Sequence, residues 1–144
     1  MIEQDTVRLL RECDAGIKMG TASISDILPH VKGTALRQYL EDCRTKHEKL
    51  GAEIQGMLDR YHDEGKAPNA MAKGMSWMKT NVKLAVDDSD ETIADLMTDG
   101  CNMGVKSLNR YLNEYEAAEE RAKNIAKRLV RLEEKLVTDI RGFL

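Results

Sequence analysis

The stretch YLEDCRTKHEKLGAEIQGML, residues 39–58, carries apolar side chains at alternating steps of four and three residues. Steps of this size place side chains on one face of an α-helix, so the stretch predicts an amphipathic helix within a helical bundle. The pattern continues on both sides and comprises Leu36, Leu40, Cys43, His47, Leu50, Ile54, Met57 and Tyr61. His47 is the exception among them, because the core of a bundle ordinarily takes aliphatic side chains.

The same periodicity recurs in three other segments of the chain, the last of which has the stripe Ala122, Ile125, Leu129, Leu132, Leu136, Ile140 and Phe143. Pro29 and Gly33 separate the first helix from the second, and Gly65 with Pro68 marks the end of the second. A shorter helix or helical crossover is predicted over residues 70–86, before the third helix. The four long helices are predicted at residues 3–27, 35–63, 91–114 and 117–144. The sequence therefore predicts a single all-α domain, 1–144, folded as an antiparallel four-helix bundle.

The composition excludes several classes of protein. The chain has 144 residues, of which 33% are charged and 42% hydrophobic, and its formal net charge is −3. It lacks the basic excess that nucleic-acid binding requires, an apolar run of transmembrane length and an apolar signal-peptide core. Its three cysteines are too few and too widely spaced for a disulfide framework. We therefore expect a cytoplasmic protein with no nucleic-acid partner and no integral membrane association.

The polar residues on the inward faces raise the question of a metal site. The di-metal site of ferritin-like bundles uses Glu-x-x-His motifs, and this sequence contains none. A reduced site remains, because Asp14 and His47 lie at similar distances from the connection between their helices, and Cys43 and Cys101 also face inward. These are acceptable ligands for iron or zinc. The alternative, which we favour, is a hydrogen-bonded Asp14–His47 pair with the cysteines as small apolar side chains and no cofactor.

Two features suggest contact surfaces. A methionine-rich stripe with Trp77, which includes Met75 and Met78, predicts either a cover for the edge of the bundle or a partner-binding helix. Gly104, on the face of the third helix, would allow close approach of another helix within the bundle or across a dimer. We expect a homodimer that uses these residues. A lipid- or anion-binding bundle, using the lysines of the crossover and the basic stretch of the fourth helix, is a further alternative.

Three segments resemble a family of uncharacterised bacterial ferritin-like proteins. They are LLRECDAGIKMGTA (9–22), ALRQYLEDCRTKHEKLGAEIQGML (35–58) and SWMKTNVKLAVDDSDETIADLMTDG (76–100). The resemblance implies a ferritin-like fold and a loose link to stress responses. Asp14 and Asp95 match acidic positions of the family, whereas Thr98 and Cys101 stand where acids would be expected, which implies a degraded di-metal site.

These observations favour a non-enzymatic ferritin-like bundle that self-associates and is linked to stress. The alternative hypothesis is an iron- or zinc-binding bundle that uses the Asp14, His47, Cys43 and Cys101 cluster in its core.

Overall fold

The computed structural model describes residues 2–65 and 87–144, and four long helices make up most of these two ranges. Short 3₁₀ turns follow the first and last helices at Leu28–His30 and Arg141–Phe143. No strand occurs within the described ranges. The helices are α1 (Ile2–Ile27), α2 (Thr34–Arg60), α3 (Asp90–Glu114) and α4 (Glu120–Ile140). The predicted all-helical fold is thus confirmed, whereas the predicted crossover helix at 70–86 lies outside the described residues.

The start of α3 is fastened to the connection between α1 and α2. The Ser89 side chain caps α3 by accepting a hydrogen bond from the backbone N–H of Thr92 at 3.2 Å. The carboxylate of Asp90 accepts hydrogen bonds from the backbone N–H groups of Lys32 and Gly33, at 2.9 and 2.8 Å. These bonds place the beginning of α3 at the end of the molecule where α1 passes into α2.

The opposite end is held by the first turns of α1. Asp5 accepts a hydrogen bond from the backbone N–H of Ala117 at 3.1 Å, and the buried hydroxyl of Thr6 accepts one from Glu119 at 2.8 Å. Both donors lie in the connection between α3 and α4. This connection therefore lies beside the start of α1.

The apolar core consists of two clusters, one toward each end of the bundle. The first includes Leu9, Leu10, Ile17, Leu50, Ile54, Leu108 and Leu129. The second includes Ile24, Ile27, Leu36, Leu40, Ile93, Leu136 and Ile140. Between the two clusters, α2 and α4 bury a polar residue each instead of an aliphatic one.

The predicted helix boundaries differ from the observed ones at several ends. The second helix ends at Arg60 rather than at Asp63, and the fourth begins at Glu120 rather than at Ala117. Its predicted stripe also included Leu132, which is only partly buried, and omitted Glu133, which is buried. Among the described helices, none combines the length and the apolarity needed to cross a membrane.

Candidate functional site

One layer of the bundle takes a residue from each helix and is polar at its centre. His47 of α2 is 2% exposed and Glu133 of α4 is 9% exposed. Gly20 of α1 lies against the imidazole ring, because a Cβ at residue 20 would stand 3.0 Å from its Cδ2 and Nε2 atoms. Gly104 of α3 lies against the Glu133 carboxylate, which fills the space that a side chain at 104 would need. We call these four residues the His–Glu layer.

The imidazole of His47 is oriented by its own helix. Its Nδ1 lies 2.8 Å from the backbone carbonyl oxygen of Cys43, one helical turn earlier, and 3.5 Å from the Cys43 sulfur. A carbonyl oxygen can only accept a hydrogen bond, so Nδ1 carries a proton. The other ring nitrogen, Nε2, faces Oε1 of Glu133 at 3.9 Å. That distance is too long for a direct hydrogen bond but short enough for strong electrostatic interaction.

Glu133 is incompletely satisfied. Its Oε2 atom is fully buried and has no hydrogen-bond partner within the part of the chain that the structure describes. A buried acceptor without a donor costs about 1–3 kcal/mol of stability, so native proteins rarely retain one without a reason. The carboxylate is therefore able to accept a hydrogen bond that the described residues do not supply.

Burial and pairing act together on the protonation of the layer. For His47, burial by itself lowers the pKa, but the interactions with Cys43 and Glu133 outweigh it and raise the pKa to about 10. For Glu133, burial raises the pKa, while the interaction with His47 opposes the rise. Both shifts favour retention of a proton in the layer, and the imidazole is protonated at neutral pH.

A cavity of about 350 Å³ adjoins the His–Glu layer, between α1 and α3. His47 and Glu133 are among the residues that line it, together with several apolar side chains and glycines. Among the lining residues of α1 and α3 are Met19, Gly20, Met97, Gly100, Gly104 and Leu108. A concave, mainly apolar site of this size with a few converging polar groups is the usual form of a small-molecule binding site.

The predicted metal ligands are only partly brought together. Cys43 contacts His47, and Cys101 lines the same cavity. Asp14 instead forms an ion pair with Lys18 at 2.7 Å, and its carboxylate lies against Gly65. Within residues 2–65 and 87–144, no three His, Cys, Asp or Glu side chains are grouped so that they could hold a metal ion.

The predicted Asp14–His47 pair is corrected by these contacts. The histidine faces α1 at Gly20, which is six residues beyond Asp14, or about 9 Å along a helix axis. The carboxylate that His47 meets belongs to α4 and not to α1. His47 does face an acidic residue in the core, as predicted, but that residue is Glu133 and not Asp14.

The three cysteines are buried and free. Burial, followed by the nearby charges of Glu12, Asp14 and Glu133, raises the pKa of Cys13 to about 12. The pKa of Cys101 is also raised, first by burial and then by Glu133 and Cys43. Both thiols are therefore protonated at neutral pH, as expected of small apolar side chains rather than of reactive thiolates.

The predicted interface residues have different outcomes. Trp77, Met75 and Met78 lie outside the described residues. Gly104 is described. Its lack of a side chain makes room for the Glu133 carboxylate of the same chain, which lies against it. A dimer interface at Gly104 stays a prediction.

Glu133 was overlooked because it lies beside another acid, Glu134, in a charged helix. The spacing of residues in α4 nevertheless contains a signal. Positions 122, 126, 129, 133, 136 and 140 alternate steps of four and three, and all six residues are buried. Strict use of this alternation would have placed Glu133 rather than Leu132 in the core.

No protein-family model, no curated protein and no solved structure matches this chain. The resemblance to bacterial ferritin-like proteins therefore stays a prediction.

Proposed function

We propose that this chain is a non-enzymatic helical-bundle protein that binds a small molecule in the cavity beside the His–Glu layer. The observation that carries the proposal is the buried Oε2 atom of Glu133, which has no hydrogen-bond partner among the described residues and belongs to a residue of the cavity wall. The layer is costly to maintain, because two ionisable groups are withdrawn from water in the middle of an apolar core. A binding role accounts for this cost.

The glycines of the layer support the same proposal. Glycine in a helix interior costs about 1 kcal/mol relative to alanine, so a helix does not gain stability from it. Gly20 and Gly104 stand where a side chain would press on His47 and on Glu133, respectively. Because these two glycines lack side chains, the imidazole and the carboxylate have room to stay beside the cavity.

The positions of the helix ends support a ferritin-like, antiparallel arrangement. The start of α3 lies at the α1–α2 connection, and the α3–α4 connection lies at the start of α1. In this arrangement α1 and α4 run in one direction while α2 and α3 run in the other. A bundle of this kind has one long connection, between its second and third helices, as ferritin-like bundles do. Self-association and a link to stress stay predictions.

A cavity-filling variant tests the proposed function. Gly100→Leu adds a side chain at a residue that lines the cavity, where an added Cβ would meet no described residue outside its own stretch of helix within 4 Å. Gly56→Leu is the matched control, since it is also helical and unobstructed but is not part of the cavity wall. Fluorescence titration with naphthol should show saturable binding to the wild type and to the control, and about tenfold weaker binding to Gly100→Leu. Absence of binding to the wild type, or equal binding by both variants, would refute the proposal.

A metal-binding bundle is the second candidate, and one observation favours it. The Nδ1 proton of His47 is engaged by a backbone carbonyl, an arrangement that metal-binding histidines commonly show, and Nε2 faces a carboxylate. A metal ion would have to displace the Nε2 proton, which the raised pKa of His47 opposes at neutral pH.

Elemental analysis of untagged protein decides between the two candidates. Stoichiometric iron or zinc in the wild type that is lost in a His47→Ala/Glu133→Ala variant would establish the metal function. An Asp14→Ala variant is the control, because that carboxylate lies against Gly65 and pairs with Lys18. We expect no stoichiometric metal in any of the three proteins.

A further inference from the structure

We propose that the cavity selects an uncharged, mainly apolar molecule of about the size of two fused rings, which donates one hydrogen bond to Oε2 of Glu133. This inference rests on the proposed binding function and adds the chemical class of the ligand. Three properties of the site lead to it: the volume of the cavity, an acceptor on a wall residue that has no donor among the described residues, and the balance of charge in the His–Glu layer.

The volume sets the size of the ligand. A dry apolar cavity of about 150 Å³ is known to hold one benzene molecule. The cavity between α1 and α3 is about 350 Å³, or roughly twice that volume. A bicyclic aromatic molecule, or an aliphatic one of similar bulk, fits this space.

The wall determines the polarity of most of the ligand. Apart from His47 and Glu133, the wall includes the buried apolar side chains of Ile24, Leu108 and Leu129. These side chains offer no hydrogen bonds, so a polar group placed against them would lose its solvation without compensation. The part of the ligand that contacts them is therefore apolar.

The Glu133 carboxylate determines which polar group the ligand carries. Glu133 is 9% exposed, its Oε1 faces His47, and its Oε2 has no donor among the described residues. The Oε2 atom is itself fully buried, so the carboxylate must turn toward the cavity before a ligand hydroxyl or N–H group can donate to it. That hydrogen bond would satisfy Oε2, and bonds to a charged acceptor are stronger than those between neutral groups. A ligand that lacks a donor would leave the carboxylate oxygen buried and unsatisfied.

The charge of the layer excludes an ammonium group as the preferred donor. The protonated imidazole of His47 already faces Glu133, so the layer has no net negative charge to offer a cation. A second cation would enter the apolar core without a counterion of its own, which is costly. A neutral donor, such as an alcohol, a phenol or an indole N–H, satisfies Oε2 without adding charge.

The test uses three probes with the same ring system and different donors. Naphthol carries a neutral donor, methoxynaphthalene carries none, and naphthylmethylamine is cationic at neutral pH. We expect naphthol to bind the wild type about tenfold or more tightly than either of the others. In Glu133→Leu this preference should fall to within about twofold, whereas Glu134→Gln, a change at the exposed neighbouring residue, should retain it.

The Glu133→Gln variant keeps the test decisive if Glu133→Leu does not fold. Its side chain has almost the same shape but no charge, so the preference for naphthol should decrease by at least about threefold. Equal binding of naphthol and methoxynaphthalene by the wild type would overturn the inference while leaving the proposed function intact. Tighter binding of the amine would overturn the preference for an uncharged ligand. If none of the three probes binds, the proposed function itself fails.

Discussion

At the scale of single residues, His47 and Glu133 are unusual because each is buried but neither is fully satisfied by the other. The 3.9 Å separation of Nε2 and Oε1 leaves a gap in the middle of the core. The histidine is fixed at its far side by the Cys43 carbonyl, so it cannot approach the glutamate without breaking that bond. The pair is therefore held apart by local helix geometry, and its energy depends on protonation.

The stability of the protein should fall as the pH rises through the titration of His47. The pKa of this residue is about 10 in the folded protein, against an ordinary value of 6.5. A raised pKa contributes stability that is fully present below pH 6.5 and is lost as the pH rises toward 10. The raised pKa of Glu133 acts in the same direction, from its ordinary value of 4.5 upward. One proton accounts for at most about 1.4 kcal/mol per pH unit.

Denaturant unfolding of the wild type and of His47→Gln would measure this effect. The range from about pH 6.5 to pH 8.5 is suitable, because free thiols titrate mainly above it. We expect the free energy of unfolding of the wild type to decrease across the range and that of the variant to change much less. Equal slopes for the two proteins would contradict the raised pKa of His47.

At the scale of the elements, α3 carries two glycines four residues apart with different surroundings. Among the described residues, an added Cβ at Gly100 would meet nothing within 4 Å beyond its own stretch of helix, whereas at Gly104 it would meet the Glu133 carboxylate. Substituting each glycine by alanine therefore separates two effects on stability, that of helix propensity and that of contact with the His–Glu layer.

Gly100→Ala should stabilise the protein by about 0.5–1 kcal/mol, because alanine is the better helix former and meets no neighbour. Gly104→Ala should instead destabilise it by about 1–2 kcal/mol, since the carboxylate must shift away from its place beside His47. Thermal or denaturant unfolding of both variants measures the difference. A stabilising Gly104→Ala would show that the carboxylate moves freely.

A double-mutant cycle identifies the cause of the Gly104 effect. In a Glu133→Ala background the obstructing carboxylate is absent, so Gly104→Ala should behave like Gly100→Ala. If Gly104→Ala still lowers the free energy of unfolding in this background, the destabilisation comes from contacts with neighbours other than Glu133.

At the scale of the whole molecule, Asp90 joins the start of α3 to the connection between α1 and α2. Its carboxylate accepts hydrogen bonds from the backbone N–H groups of Lys32 and Gly33, at 2.9 and 2.8 Å. Asp88 lies two residues earlier, and its side chain forms an exposed ion pair with the Lys32 side chain at 3.2 Å. The two aspartates thus provide a matched comparison of a backbone anchor with a surface pair.

Asp90→Ala should lower the free energy of unfolding by about 1–3 kcal/mol, because charge-assisted bonds to two backbone donors are lost. Asp88→Ala should change it by less than about 1 kcal/mol, as is usual for exposed ion pairs. Denaturant unfolding at moderate salt distinguishes them. Equal effects would mean that the Asp90 carboxylate does not anchor α3.

The sequence by itself determined the helical class of this protein and the inward face of α2. Leu36, Leu40, His47 and Ile54 were all placed in the core by their spacing, and all are buried. The physical reason is that helical periodicity is local: 3.6 residues per turn decides which side chains share a face, whatever lies opposite.

Only the tertiary structure decided which residues meet across the helices. The position of His47 opposite Gly20 and Glu133, rather than opposite Asp14, depends on how far α1, α2 and α4 are shifted along their axes. A repeating apolar stripe tolerates shifts by whole turns, because the same kinds of side chains then face each other again. The hydrogen bonds at Asp90, Asp5 and Thr6 fix the level of the helix ends. These contacts, which no local pattern contains, bring the polar layer and its cavity together.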